Sequence, residues 1–424
     1  MGDDACPGLH AITSPSESAT PKHGPRSPSG RASRFVFVVA ALGLFLAGTG
    51  AVRFGPAVLF TAALAAPAFD GWMATWSAAP ASEEIIVRAS ETTMRADLYR
   101  PRHTYWRRHT RSAVLIVHGL SAAGRRHPEL VRLARLFARH GHLVMVPHFD
   151  GLATFRLSGR EIDEIKAALA ELRRRSETVA VAGFSFGAGP ALLAAADVED
   201  LAWIGSFGGY ADLRHVIVYL TTGIHTFQER RYAGRVEEYN RWKLAALLTP
   251  LIDDSGDRER LGLIASRRLA NPSDDTSALA AQLGPSGRTA MSLVLSRRED
   301  LTTTLLDRLS AATRAQLDRL SPITVVSRLR ARLLVAHGVD DDSIPFTESL
   351  RLAEAAGQGA RVVILQTFHH TGPQRVSSAW HRRAADAAAL LVLVDEMLRE
   401  PPGKSDRSTS RDSERVGGML TERP

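Results

Sequence analysis

This 424-residue chain contains a single cysteine and lacks the residue spacings typical of metal-binding and phosphate-binding motifs. The single cysteine, Cys6, excludes an intrachain disulfide and any metal site built from several thiolates. The fifteen histidines show no HExxH or similar spacing, so the sequence predicts no bound metal. The glycines between Gly183 and Gly189 are not followed by the Lys-Ser/Thr pair of a phosphate-binding loop. We therefore predict no cofactor.

Lysine is also rare, although the chain is basic overall. Lys+Arg number 53 against 45 Asp+Glu, a net charge of +8, and arginine carries almost all of the excess. The densest basic cluster, residues 106–111, is short and precedes a strand, which indicates a solvated turn or a membrane-proximal patch. No basic stripe interleaved with aromatic residues is present, so we expect no nucleic-acid partner.

Long uncharged runs are confined to the N-terminal part of the chain. Residues 1–34 are rich in Pro, Ser, Gly and Arg and are predicted to be disordered. The next segment, 35–69, is predicted to be a membrane anchor: Phe35 to Val52 carries no charge over eighteen residues, and a second apolar run, Phe54 to Phe69, follows Arg53.

Three topologies compete for this segment. A single span, which we favour, places the N-terminus in the cytoplasm because basic residues precede it, and puts the globular part on the non-cytoplasmic side. A hairpin of two spans would return the chain to the cytoplasm. A cleaved signal peptide requires an unusually long leader. A buried core helix is a fourth, weaker interpretation, because it would stand alone beside a disordered tail.

From residue 83 onward the pattern is that of a globular domain. Residues 83–207 and 321–398 read as apolar strands alternating with helices, which predicts a doubly wound, mostly parallel sheet of the α/β class. Residues 208–320 show helical spacing without strand-like runs, which predicts a helical cap inserted into this core. Residues 399–424 are polar and are predicted to be a disordered tail.

One stretch carries a recognisable chemical pattern. Residues 178–196 read as a strand, a tight Gly183-Phe184-Ser185-Phe186-Gly187 turn and a helix. A serine held between glycines at a strand-to-helix turn is typical of a nucleophile elbow. Its hydroxyl needs a base to take its proton, and the base needs a third group to orient it.

Candidates for both partners follow later strands, in the order Ser, Asp, His. The strand ending at Ala336 is followed by His337-Gly-Val-Asp-Asp-Asp-Ser-Ile-Pro345, which offers three aspartates, Asp340, Asp341 and Asp342. The next strand is followed by Gln-Thr-Phe-His369-His370-Thr, which offers two histidines. Strand ends are rigid, so loops that converge there can hold a hydrogen-bonded triad.

The same chemistry needs donors for a developing oxyanion. The backbone N–H of Phe186, directly after the serine, is one candidate. The other is the N–H of Leu120, because Gly119 in the His118-Gly119-Leu120 turn allows the backbone to approach the serine. We expect His118 to brace these loops without a catalytic role.

From Ala113 to about Leu398 the chain resembles the α/β-hydrolase superfamily, in particular dienelactone-hydrolase-like and acyl-peptidase-like members. The resemblance rests on the HG turn, the GxSxG elbow and the HGxxDxxIP pattern. It implies an α/β-hydrolase fold in which Asp341 is the acid and His370 the base. Asp340 and Asp342 would then solvate the loop, and His369 would be a neighbour of the base.

The resemblance and the residues together predict a membrane-anchored serine hydrolase. Ser185 would attack the substrate carbonyl, His370 would accept and return the proton, and Asp341 would orient His370. The substrate would be a small-molecule carboxylic ester, or a thioester or amide, cleaved through an acyl-enzyme. Aromatic residues in the cap suggest a substrate with a hydrophobic group; the alternative for many of them is that they form the core of the cap itself. The alternatives are a prolyl-oligopeptidase-like peptidase, although no propeller-like strand array precedes residue 113, and a non-catalytic membrane-bound binding protein that keeps the fold.

Overall fold

Short runs of valine, alanine and leucine form the strands at the centre of the structure. The computed structural model of the chain describes residues 53–66, 69–90, 92–102, 112–369, 372–373 and 380–399. Eight strands form one sheet in the order β1-β2-β4-β3-β5-β6-β9-β10. Their bounds are Ala81–Arg88, Thr93–Arg100, Ser112–Val117, Leu143–Pro147, Thr178–Phe184 and Leu201–Phe207 for β1 to β6, then Arg332–Gly338 for β9 and Ala360–Leu365 for β10.

The sheet is parallel except at one edge. Strand β2 pairs antiparallel with both β1 and β4, and all other neighbours pair parallel. The predicted mostly parallel sheet is therefore confirmed.

Both faces of the sheet are covered by helices, which explains the continuous apolar character of its central strands. All six residues of β3 are buried. Ala113, Leu115 and Val117 point into one hydrophobic layer, whereas Val114 and Ile116 point into the other. The sheet is therefore doubly wound, as predicted.

The helices divide between these two layers. One layer contains α5, α6, α14 and most of the inserted segment, and the other contains α1, α2, α3 and α15. Helix α1 covers residues 53–65. The remaining helices of the core are α2 Phe69–Trp76, α3 Pro128–Arg139, α4 Asp150–Ala153, α5 Arg160–Arg173, α6 Ala188–Ala195, α14 Thr347–Ala356 and α15 Trp380–Leu398.

The segment 208–320 is largely but not entirely helical, which corrects the prediction of a purely helical cap. Two strands, β7 Ile224–Phe227 and β8 Arg230–Ala233, form an antiparallel hairpin within it. Four-residue strands are too short to produce a clear alternating pattern in the sequence. The helices are α7 Leu213–Thr222, α8 Glu238–Leu248, α9 Ser255–Ala270, α10 Ser277–Ala281, α11 Pro285–Leu295, α12 Glu299–Asp307 and α13 Ala311–Arg319.

The second half of the predicted membrane anchor packs against the protein core. Ala57, Phe60 and Ala63 of α1 recur every three residues and are buried. The Phe60 ring meets the Phe137 ring of α3 edge-on, with centroids 4.9 Å apart. The apolar residues of this run therefore cover one face of the sheet. The prediction of a second membrane span, as in the hairpin topology, is wrong for residues 54–65.

The first half of that anchor, Phe35 to Val52, lies outside the described residues. Within the described ranges, no helix has both the length and the apolar character needed to cross a bilayer.

Arg132 of α3 connects α1 and α2 to the core. Its Nε donates to Asp70 Oδ2 of α2 at 2.7 Å, and its Nη2 donates to the backbone carbonyl of Ala63 in the last turn of α1. A cation beside the C-terminal carbonyls of a helix is also favoured by the helix dipole. One half-buried guanidinium thus holds two consecutive helices in place.

We expect Arg132→Ala to release α1 from α3. Arg132 makes two charge-assisted hydrogen bonds, each worth about 1.5–3 kcal/mol, and solvent screening weakens the one to the exposed Asp70, so we expect a loss of roughly 2–4 kcal/mol in the free energy of unfolding. Hydrogen–deuterium exchange should rise in residues 53–66 more than in the sheet. The control is Arg135→Ala on the exposed side of the same helix; similar exchange in the two variants would refute the anchoring role.

Candidate active site

Ser185 lies on the sharp turn between β5 and α6. Its φ is +52°, a left-handed conformation that side chains other than glycine adopt only under strain. Such strain is typical of a nucleophile elbow, where it exposes the hydroxyl at the end of the sheet. Ser185 is half-buried and its side chain lines a cavity.

The glycines around Ser185 are required by close packing. A Cβ at Gly183 would lie 2.4 Å from Ala188 Cα, and one at Gly187 would lie 2.1 Å from the carbonyl oxygen of His118. Real Cβ atoms do not approach backbone this closely. The turn can therefore form only when both positions lack a side chain.

The turn after β3 lies directly against the serine. A Cβ at Gly119 would be 2.8 Å from Ser185 Cβ and 3.3 Å from Ser185 Oγ. In the described part of the chain, no backbone carbonyl accepts the N–H of the next residue, Leu120. The structure thus brings Leu120, Phe186 and Ser185 together, and Leu120 and Phe186 stay predictions as oxyanion donors.

His118 braces this turn from behind. Its imidazole is fully buried; Nδ1 donates to the Gly119 carbonyl at 2.8 Å, and Nε2 accepts from the Phe149 backbone N–H at 3.0 Å. Burial lowers the pKa of His118 to about 4, so the ring is neutral at physiological pH. This neutral tautomer links the ends of β3 and β4.

Asp341 follows β9 and is buried, with 3% of its surface exposed. Its Oδ1 accepts the backbone N–H groups of Ser343 at 2.8 Å and Ile344 at 2.9 Å. Of its two neighbours in sequence, Asp340 is exposed and Asp342 half-buried. Among the three aspartates, only Asp341 lines the same cavity as Ser185.

His337 holds the Asp341 loop and was not identified from the sequence. Its Nε2 donates to the Ile344 carbonyl at 2.9 Å and lies 3.4 Å from Asp341 Oδ2, and its Nδ1 accepts from Ser349 Oγ at 2.7 Å. The sequence does contain a pattern that indicates this bracing role, because His337-Gly338 repeats the His118-Gly119 dipeptide at the end of another parallel strand. In both places a buried imidazole closes a loop beside the site.

The predicted base, His370, lies outside the described residues, and so does the side chain of His369. The structure does describe the residues between β10 and these histidines. After β10, the backbone N–H groups of Gln366 and Thr367 donate to the Asp386 carboxylate of α15 at 3.1 and 2.8 Å, and Thr367 Oγ1 donates to it at 2.7 Å.

Asp386 therefore fixes the start of the loop that carries both histidines. Its carboxylate is 5% exposed. Sequence analysis could not find this role, because the aspartate lies on a different element about twenty residues further along the chain. Beyond this point, His369 pairs with Gly372 in a two-stranded ribbon of β11 (Phe368–His369) and β12 (Gly372–Pro373).

Two separate cavities lie near these residues. The first, of approximately 260 Å³, contains Ser185 and Asp341 and has mostly apolar walls. The second, of approximately 850 Å³, lies between the inserted segment and the Asp341 loop, and is lined by Tyr219, Tyr232 and Tyr239. Three of the cap aromatics thus line a cavity that does not include the serine, whereas Tyr210 and Trp242 are buried in the hydrophobic core.

The connectivity of the sheet decides the fold. When the separate hairpin β7–β8 is left out, β9 and β10 are the seventh and eighth strands, and the strands lie in the order 1-2-4-3-5-6-7-8. The second strand is antiparallel to both of its neighbours. The elbow serine follows the fifth strand, the aspartate follows the seventh, and the histidine loop follows the eighth. The chain has the α/β-hydrolase fold. The insertion after the sixth strand is where this α/β-hydrolase fold carries its cap.

Comparison with known proteins found distant structural neighbours only. No protein-family profile and no curated protein sequence matches the chain. An acylaminoacyl peptidase from Pyrococcus horikoshii superposes with a TM-score of 0.43 and 11% identity over 80% of this chain and 46% of its own. A 2,6-dihydroxy-pseudo-oxynicotine hydrolase gives 0.42 and 16% over 74% and 68%.

An esterase from Pyrococcus furiosus gives a TM-score of 0.40 and 11% identity over 76% of this chain and 92% of its own. The chain spans less than half the length of the acylaminoacyl peptidases that it matches. With identities this low, the fold assignment rests on the strand order described above.

The buried neutral state of His118 predicts a pH-dependent stability. In the unfolded chain its imidazole binds a proton near pH 6.5, whereas in the folded protein it resists protonation down to about pH 4. The unfolded state therefore binds more protons in this window, and stability falls as the pH drops from 6.5 to about 4.

We expect the non-titrating variant His118→Gln to show a flatter decline over the same window in denaturant unfolding. His225, whose pKa burial also lowers to about 4, is present in both proteins and cancels in the comparison. Parallel pH profiles for the two proteins would contradict a buried neutral His118.

Proposed function

We propose that the protein is a serine hydrolase that cleaves a carboxylic ester, or a thioester or amide, through an acyl-enzyme on Ser185. The observation that carries the proposal is the strained Ser185 turn, with the Gly119-Leu120 backbone packed against it and Asp341 in the same cavity. A strained backbone is retained when surrounding contacts impose it, and such positions cluster at reactive sites.

The proposed reaction begins when Ser185 Oγ attacks the ester carbonyl carbon and its proton passes to His370. The imidazolium that forms would be stabilised by Asp341, a buried carboxylate whose Oδ1 accepts two backbone N–H groups. The tetrahedral intermediate collapses, the C–O bond to the alcohol breaks, and His370 returns the proton to the leaving oxygen. A water molecule, deprotonated by His370, then hydrolyses the acyl-enzyme.

The oxyanion would be held by the N–H groups of Leu120 and Phe186. A single oxyanion donor contributes about 2.7–4 kcal/mol to transition-state stabilisation in well-studied hydrolases. Backbone donors suit this task because they are fixed by the fold before the substrate binds. His118 supports them by holding the Gly119 carbonyl, which fixes the orientation of the adjoining peptide.

Membrane attachment through residues 35–52 is a part of the proposal that rests on the sequence alone. The uncharged run and the basic residues before it support a single span with the hydrolase on the non-cytoplasmic side. The described structure begins directly after this run, with α1 packed on the core.

We expect a fluorophosphonate probe to label the purified protein, and Ser185→Ala to remove the labelling together with turnover of p-nitrophenyl acetate. The matched control is Ser206→Ala on the adjacent strand β6. In the described structure the Ser206 hydroxyl is buried without a hydrogen-bond partner, so its removal should change neither readout. Undiminished labelling of Ser185→Ala would refute the assignment, and absence of labelling and turnover in the wild type would favour a binding protein.

A second pair of variants distinguishes the two histidines. We expect His370→Ala to lower kcat by roughly 10⁴-fold or more, because removal of the base leaves only the residual catalysis of binding and oxyanion donors. His369→Ala should retain most of the activity. The opposite order of effects in steady-state kinetics would assign the base to His369.

A further inference from the structure

The cavity at Ser185 extends away from the cap. Its walls are formed by residues at the carboxyl ends of the strands and by helices α1, α3 and α15, which cover the opposite layer of the sheet. Apolar side chains dominate its lining: Phe60 and Leu64 of α1, Phe184 and Phe207 at strand ends, and Leu393 and Met397 of α15. The space next to the nucleophile is therefore a hydrophobic one.

The polar groups of this cavity are already engaged. Arg132 donates to Asp70 and to the Ala63 carbonyl and lies 3.9 Å from Glu129, while His337 is bonded on both ring nitrogens. In the described wall, no cation is left to neutralise an anionic substrate group. An uncharged apolar group attached to the ester carbonyl is what this lining would stabilise.

Helix α1 supplies a wall of this cavity through two side chains. Phe60 is almost fully buried and packs on Phe137 and on His140, with ring centroids 4.9 and 5.2 Å away. Leu64 follows one turn later on the same face of the helix and is half-buried. The position of α1 is fixed by Arg132, so the wall is a rigid one.

We infer that this cavity binds the acyl chain of the substrate and that Phe60 and Leu64 of α1 set the chain length it accepts. The inference rests on the proposed function and adds the class of substrate, an ester of an uncharged aliphatic acid. A volume of approximately 260 Å³ is slightly below the ~300–1,000 Å³ typical of pockets for drug-sized ligands, which favours short and medium chains over long ones.

The test measures kcat/KM for p-nitrophenyl acetate, butyrate, octanoate and dodecanoate. Phe60→Ala removes a wall and should raise the octanoate-to-butyrate ratio about tenfold, since a methylene bound in an apolar pocket changes specificity by roughly 10-fold or more. Leu64→Phe narrows the cavity and should lower the same ratio by a similar factor. Because Leu64 is half-buried, this second variant decides the matter if Phe60→Ala does not fold.

The control is Tyr239→Ala, a partly exposed residue of the other cavity, which should leave the chain-length profile unchanged. The inference is overturned if the folded α1 variants keep the wild-type ratio, or if Tyr239→Ala shifts it instead. In either case, fluorophosphonate labelling of Ser185 in the wild-type protein would still support the proposed hydrolase activity. Loss of wild-type labelling would overturn that activity itself.

Discussion

The close approach of two backbone turns is the constraint on which the site depends. The ends of β3 and β5 lie side by side, so the Gly119 turn, the strained Ser185 and the carbonyl of His118 occupy almost touching positions. Only residues without a Cβ fit at Gly183 and Gly187, and Ser185 between them adopts a positive φ. The strained Ser185 and the backbone groups proposed as oxyanion donors are thereby held by the same packing.

Buried polar side chains on the scaffold extend this rigidity to the other loops. His118 ties the β3 turn to the chain after β4, His337 closes the Asp341 loop, and Asp386 holds the start of the histidine loop. Each of these groups has its hydrogen-bonding capacity used by backbone or hydroxyl partners, which is what makes burial of a polar side chain tolerable. The three loops are thus fixed by residues that need not contact a substrate.

The N-terminal helix shows where a hydrophobic pattern is ambiguous. Residues 54–65 are apolar because Ala57, Phe60 and Ala63 cover the sheet layer, yet a buried amphipathic helix and a short membrane span have similar composition. The cap presented the reverse problem: its aromatics suggested a substrate with a hydrophobic group, but Tyr210 and Trp242 are core residues, and Tyr219, Tyr232 and Tyr239 line a cavity that does not include Ser185. Neither distinction can be made without knowing which elements become neighbours.

The sequence by itself determined the alternating strands and helices, the doubly wound sheet, and the strand-turn-helix position of Ser185, because these features depend on local periodicity and on short motifs. It could not decide which hydrophobic surface lies next to Ser185, since that depends on contacts between residues far apart in the chain, such as Phe60 with Phe137. It also could not find His337 or Asp386 as loop braces, because their role is defined by three-dimensional proximity to backbone donors and acceptors. Only the tertiary structure placed α1 and α15 around the apolar space at Ser185.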